Sequence, residues 1–407
     1  MTLHCNYVLV ISLFVITGLL SAERDKPHQI IREITMPHKF TLADSLLDPP
    51  IKRAAYSDRT AWLMAVMSSL AYIRFEQPTP LDKLAKELLR ETNERNILMK
   101  LNALLAAENR EQLKKELESD LRDIGFQLVD TYNISIPLVV DTQAYLAKIT
   151  LQDRDPMLVL AFRGTEVTNA ADIRTDVSGN PMNVGPKGKG HQVHSGFYNA
   201  FKAVQSLIEE SLNKPELKGF PLYITGHSLG GALAVVATYC ISNDSVGSCY
   251  TFGGPRVGNL LFGQSIRTPV YRVINAADLV PRLPPSYLIE GMTLLLRWLP
   301  VIPYNSQIAD YLERFRHYRH YGDLRYLSAA TRNTAEADGM LAAYPGLQVI
   351  ANPPQVSRWI WLCRRLIATY GRAGINDHNI NIYVEKLAYW GTQRNLDKPK
   401  LVSTAQE

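Results

Sequence analysis

The sequence predicts an α/β fold, one domain with a mostly parallel central sheet over about residues 125–395, behind an N-terminal helical region. Three observations predict it. Short stretches rich in β-branched and aromatic residues alternate with helical stretches, the pattern of strands joined by crossover helices. The chain is 407 residues long and 46% hydrophobic, enough to bury one large core. An apolar run, Tyr223-Ile224-Thr225, also passes through Gly226-His227-Ser228-Leu229-Gly230 directly into an Ala-rich helical stretch.

In chain order, Tyr7 to Leu20 is an uncharged apolar run ending in Leu-Ser-Ala before Glu23. Residues 1–22 therefore read as a signal peptide with Ala22 as the small residue for cleavage, or as an uncleaved membrane anchor, since residues 2–6 carry no Lys or Arg. Either reading predicts export, to the periplasm or the medium, or attachment at the membrane. Residues 23–124 form the helical region. Within it, residues 59–74 are apolar nearly all round and should pack on the sheet. Residues 81–122, rich in Lys, Glu, Leu and Arg, read as a helical hairpin or two solvated helices. Strands are expected at Gln143–Thr150, Met157–Phe162, Leu222–Thr225, Cys249–Phe252 and Val270–Asn275, with helices at Gly196–Lys214 and Gly230–Ile241. Residues 396–407 are a tail.

Composition excludes some functions. The net charge of +5, from 44 Lys and Arg against 39 Asp and Glu, gives no polybasic footprint, so nucleic acid is disfavoured as a partner. Cysteines 5, 240, 249 and 363 have no metal-ligand spacing. Cys240 and Cys249 either pair in an oxidising compartment or remain buried thiols. No metal or cofactor is implied.

The strand–Gly-x-Ser-x-Gly–helix arrangement is a nucleophile elbow. A serine there sits on a strained turn, Gly226 and Gly230 remove side chains that would collide, and the Leu229 N–H at the helix start faces a developing oxyanion. Four further segments accompany it: Met157 to Thr165, His194-Ser195-Gly196-Phe197, Thr251 to Asn259 and Val273 to Pro285. Together and in this order they resemble the fungal-type, or class 3, triacylglycerol lipase family of the α/β-hydrolase superfamily, over about residues 140–390. The resemblance implies Ser228 as nucleophile, Asp278 as triad acid and Thr165, with Leu229, as oxyanion donor.

The base must follow Asp278 in the order usual for this fold, which leaves His317, His320 and His378. His378, in Asp377-His378, resembles the family's base-bearing segment before the last helix and is taken as the base, with His320 as the alternative. The resulting 100-residue separation from Asp278 implies insertions at about 286–315 and 330–372. His191, His194 and His227 read as structural residues or oxyanion-side scaffolding.

Three stretches bear on the substrate. The apolar run Met292–Pro303 is too short to span a bilayer. Arg358–Tyr370 places Trp359, Leu362, Cys363, Leu366, Ile367 and Tyr370 on one stripe, expected to pack on the core, with a lipid interface as the alternative. Asp172–Gly190, at the position of the family's lid, has Gly and Pro content suited to mobility. The expected function is hydrolysis of carboxylic esters of fatty acids, on a lipid or acyl-ester substrate at a membrane or lipid interface. The alternatives are a catalytically silent lipase-like binding protein and a non-lipid esterase.

Overall fold

The computed structural model describes residues 55–73, 113–136, 140–149, 156–164, 180–186, 189–241, 246–284, 309–310, 313–333 and 343–396. The N-terminal apolar run, Thr165, the Met292–Pro303 run and the tail from 397 lie outside these residues. Its main sheet contains β1 (Phe126–Ile136), β2 (Val140–Ile149), β3 (Leu158–Phe162), β6 (Leu222–His227), β7 (Val246–Phe252), β9 (Val270–Asn275), β11 (Asp323–Leu327) and β12 (Val349–Ala351), in that spatial order. The five strands β3, β6, β7, β9 and β11 are parallel. β1, β2 and β12 add antiparallel edges. A smaller antiparallel sheet holds β4 (Pro181–Val184), β5 (His191–His194), β8 (Gly258–Asn259) and β10 (Tyr318–Arg319). The helices are α1 (Asp58–Leu70), α2 (Ser195–Leu212), α3 (Leu229–Cys240), α4 (Leu260–Gln264), α5 (Gln355–Ala368), α6 (Ala373–Asn376) and α7 (Ile380–Leu396).

The apolar run of β3 follows from burial on both faces, as for any central parallel strand. Leu158, Leu160 and Phe162 face a core shared with Phe197 and Phe201 of α2 and Leu233 of α3. Val159 and Ala161 face the opposite core, with α1 and with Tyr383 and Leu387 of α7. α1 is apolar all round because it is enclosed all round: every residue from Thr60 to Leu70 is buried. Several of its polar groups find partners inside. Ser68 Oγ lies 2.8 Å from Thr225 Oγ1 on β6, and Tyr145 of β2 donates to the Met67 carbonyl at 2.8 Å. Leu117, Leu121 and Ile124 join the same core, so the described parts of the N-terminal region and the sheet share one hydrophobic interior.

The expected strands, and the helices expected at 59–74, Gly196–Lys214 and Gly230–Ile241, are present with ends shifted by a few residues, while most of the stretch 81–122 lies outside the described residues. β1, β11, β12 and the smaller sheet were not expected. β1 and β12 are the edges of the main sheet and β11 lies next to β12, so these strands, partly open to water, mix polar and apolar residues. Of the lid-like stretch Asp172–Gly190, residues 172–179 and 187–188 lie outside the described residues, and 181–184 form β4, paired in register with His191–His194. Pro181 is tolerated because it opens the strand and β4 is an edge. Cys240, Cys249 and Cys363 are free thiols, Cys249 being buried within β7.

Candidate active site

The site forms where β6 turns into α3. Ser228 has φ 56° and ψ −127°, a left-handed conformation that a side-chain-bearing residue adopts only when its surroundings enforce it. Those surroundings are backbone. A Cβ at Gly226 would run into the Gly230 carbonyl, and one at Gly230 into the carbonyl of Phe162 on β3. Ser228 N–H donates to the Phe252 carbonyl at 3.0 Å, tying the elbow to β7. Leu229 opens α3, so its N–H has no intrahelical acceptor and points out of the positive end of the helix.

The Ser228 hydroxyl lies 2.9 Å from Nε2 of His378. The other ring nitrogen, Nδ1, is 2.9 and 3.0 Å from the two carboxylate oxygens of Asp278. A carboxylate only accepts, so Nδ1 carries the proton and Nε2 is left to accept from Ser228. All three residues are buried. Asp278 follows β9, and its carboxylate also accepts from the Val280 N–H at 2.9 Å and from the Tyr383 hydroxyl at 2.5 Å. Gly253, at φ 58°, lets the β7 end approach, since a Cβ there would stand 2.6 Å from Asp278 Oδ2.

His378 is held by His227, read from the sequence as structural or oxyanion-side scaffolding, and by further groups that the sequence reading did not single out. His227 Nε2 donates to the His378 carbonyl at 2.7 Å, so its Nδ1 accepts from the Tyr72 hydroxyl at 2.7 Å. Burial, and then the neighbouring His378, hold His227 well below the usual imidazole range, which keeps it neutral and preserves this arrangement. The Asp377 carboxylate receives a bidentate pair from Arg365 of α5, at 2.6 and 2.7 Å, and the Ala277 N–H at 2.9 Å. Asn275 donates to the Asp377 carbonyl at 2.8 Å. Besides the reading of His227 as scaffolding, the advance signals for these groups were the proximity of Asp377 to His378 and the apolar stretch ending near Tyr72.

The other expected histidines lie elsewhere. His320 donates through Nε2 to the Pro281 carbonyl at 2.6 Å, and burial together with Arg272 and Arg256 keeps it neutral. His317 accepts from Arg316. His194 is buried before α2 and stacks on Phe197, and His191 begins β5. Gly164, just before Thr165, comes close to Ser228: a Cβ there would lie 3.2 Å from Ser228 Cβ and would strike the Tyr72 hydroxyl. Among the described residues no group of three or more His, Cys, Asp or Glu is placed to hold a metal.

The description "Lipase (class 3)" belongs to the family model that matches residues 159–288. These residues are thus similar to the class 3 lipase family. The lipase segment contains Ser228 and Asp278, while Tyr72, Arg365, Asp377, His378 and Tyr383 lie outside it. Over 162 residues the chain is 32% identical to a lipase of Rhizopus niveus, a match covering 37% of this chain and 39% of that one. Over 99 residues it is 39% identical to the secreted mono- and diacylglycerol lipase 1 of Fusarium solani, covering 23% and 30%. The chain thus spans about two fifths of the length of the first curated relatives it matches. The native Rhizomucor miehei lipase propeptide complex aligns with a TM-score of 0.38 at 23% identity, over 50% of this chain and 57% of that one.

The helical stripe expected at Arg358–Tyr370 is divided in the structure. Leu362 and Leu366 turn inward against Ala277, Leu279 and Ala373, whereas Ile367 and Tyr370 are exposed. The residues packed on the acid loop are a narrower set than the stripe because the loop offers only a short apolar surface. Among the described residues no helix is long and apolar enough to cross a membrane.

Proposed function

We propose that the chain is a serine hydrolase of carboxylic esters, with fatty-acid esters as substrates and residues 125–395 together with α1 as its catalytic unit. The observation that carries this reading is the unbroken chain of hydrogen bonds from the Ser228 hydroxyl through His378 to Asp278, at an elbow strained to present that hydroxyl.

In this reading Ser228 Oγ attacks the ester carbonyl carbon while His378 Nε2 takes its proton. The carbonyl oxygen becomes an oxyanion facing the Leu229 N–H and Thr165. The intermediate collapses with cleavage of the acyl carbon–oxygen bond, and His378 returns its proton to the departing alkoxide. Water then repeats the sequence on the acyl-enzyme, releasing the fatty acid and restoring Ser228. Asp278 stays ionised and steadies the imidazolium. His320 is given no part, because its Nε2 is committed to the Pro281 carbonyl. Export, by a signal in residues 1–22, fits the secreted relative from Fusarium solani.

Hydrolysis of p-nitrophenyl esters from short to long acyl chains tests the proposal. Activity should rise with chain length and fall by about a millionfold in kcat in Ser228→Ala. Activity indifferent to Ser228, or none in the parent chain, would sink it and favour a silent binding protein.

A further inference from the structure

α5 lies directly beside both triad loops. Leu362 and Leu366 pack on Ala277 and Leu279, which flank Asp278, and Arg365 grips Asp377, which precedes His378. The opposite side of this helix has no partner among the described residues. Val356 is 70% exposed, Ile360 48%, Ile367 67% and, just past the helix end, Tyr370 94%. Ile360 is four residues from Val356, and Ile367 is seven from Ile360, so the three aliphatic side chains share one face. A soluble surface rarely concentrates large apolar groups in this way. The other exposed large hydrophobics among the described residues are Ile375, in the short α6 that follows, and, elsewhere, Leu207, Leu260 and Leu261.

Charge says what this face meets. Residues 353–376 contain four arginines, at 358, 364, 365 and 372, and no acidic residue. Arg365 is occupied by Asp377. Arg364 is exposed, four residues beyond Ile360, and no carboxylate of the described residues pairs with it. It also borders a groove of about 410 Å³ between α5 and the β11–β12 edge, lined by Trp361, Ala368, Tyr326 and Ile350. An apolar stripe edged by cations, with tryptophan alongside, is suited to a surface that is greasy inside and negative at its rim.

The geometry points to the outer face of α5 as a docking face for an anionic phospholipid surface. Val356, Ile360, Ile367 and Tyr370 enter the acyl boundary, and Arg364 meets headgroup phosphates at the mouth of the groove. This inference rests on the reading of the chain as a fatty-acid ester hydrolase, whose substrates gather at such surfaces. It goes further by naming the face and the charge of its lipid. Docking there would bring the lipid surface against the element that braces Asp278 and His378.

The test is partition of the full-length Ser228→Ala chain onto vesicles of phosphatidylcholine alone and of phosphatidylcholine with phosphatidylglycerol. Because binding is read without turnover, a chain without esterase activity can still pass, and an active esterase can still fail. Partition should favour the anionic vesicles and weaken with salt. Ile360→Ser combined with Ile367→Ser should lower it about tenfold or more, since the two aliphatic contacts are lost. Arg364→Glu should lower it about tenfold on anionic vesicles and little on neutral ones. Any hold by residues 7–20 is common to parent and variants, and thermal unfolding checks that the variants fold. A second readout is local: an environment-sensitive fluorophore on Ile367→Cys, compared with the labelled parent chain, should leave water on anionic vesicles. Unchanged partition in the paired variant, or a label that stays in water while the protein is bound, would overturn the proposal.

Discussion

The two halves of the site are built in opposite ways. The Ser228 half is local: β6, the elbow and α3 are consecutive in sequence, and its constraints are backbone contacts at Gly226 and Gly230. The His378 half is assembled from a distance. His378 meets Ser228 across 150 residues and Asp278 across 100, and it is steadied through His227, Asp377, Arg365 and Tyr383. A local half tolerates nothing at its glycines, because backbone cannot move aside. A distributed half spreads the same precision over several side-chain bonds, so losing one weakens it without abolishing it.

Gly226→Ala should break the local half outright. The added Cβ meets backbone atoms of Gly230 and Gly231, so the elbow and the β6–α3 junction must separate. A loss of more than about 3 kcal/mol, or failure to fold, is expected from urea unfolding. A fully active, stable variant would show that the elbow is looser than its contacts imply.

Asp377→Ala is the strongest blow to the distributed half. It leaves the Arg365 guanidinium partly buried without its partner and strips the Ala277 N–H of its acceptor. A loss of about 3–5 kcal/mol is expected, with kcat falling more than KM changes because the imidazole and not the binding surface is disturbed. Equal losses from Asp377→Asn, which keeps an acceptor for Ala277, would argue that charge rather than geometry matters.

Lys386 gives this half a pH dependence. It is buried in α7, donating to Asn275 Oδ1 and the Ser328 carbonyl at 2.8 Å each, and burial lowers its pKa to about 8. A cation with a lowered folded pKa binds fewer protons in the native state. Between about pH 8 and the unfolded value of 10.5 the unfolded chain is therefore the more protonated, and stability rises with pH. Relative to Lys386→Met, the parent should gain about 2–3 kcal/mol across that window in chemical denaturation. A constant difference between the two proteins would place the ammonium in a better solvated site.

Tyr383→Phe should have the smallest effect. It removes the hydroxyl that donates to Asp278 and accepts from the Asn275 N–H, while keeping the ring in the core. About 1–2 kcal/mol of stability and about tenfold in kcat are expected. A kcat loss as large as that of Ser228→Ala would mean that the Asp278 geometry hangs on this one bond.

The same contrast explains what could be read in advance. The sequence alone determined β2 and four of the five parallel strands, β3, β6, β7 and β9, from their apolar runs, together with the all-round apolar α1 and the elbow at Ser228, since each is encoded within a few consecutive residues. It also narrowed the base to His317, His320 and His378 through chain order. The edge strands β1 and β12, and β11 beside β12, were not legible, because segments that mix charged and apolar residues lose the uniform apolar signature. The division of the α5 stripe depended on which residues the acid loop had room to cover. Only the tertiary structure decided that His378 reaches Ser228 while His320 turns to the Pro281 carbonyl. It alone joined Tyr72, Arg365 and Asp377 to the site. Contacts across a hundred residues leave no periodic trace in sequence, because what specifies them is the packing of whole elements on one sheet.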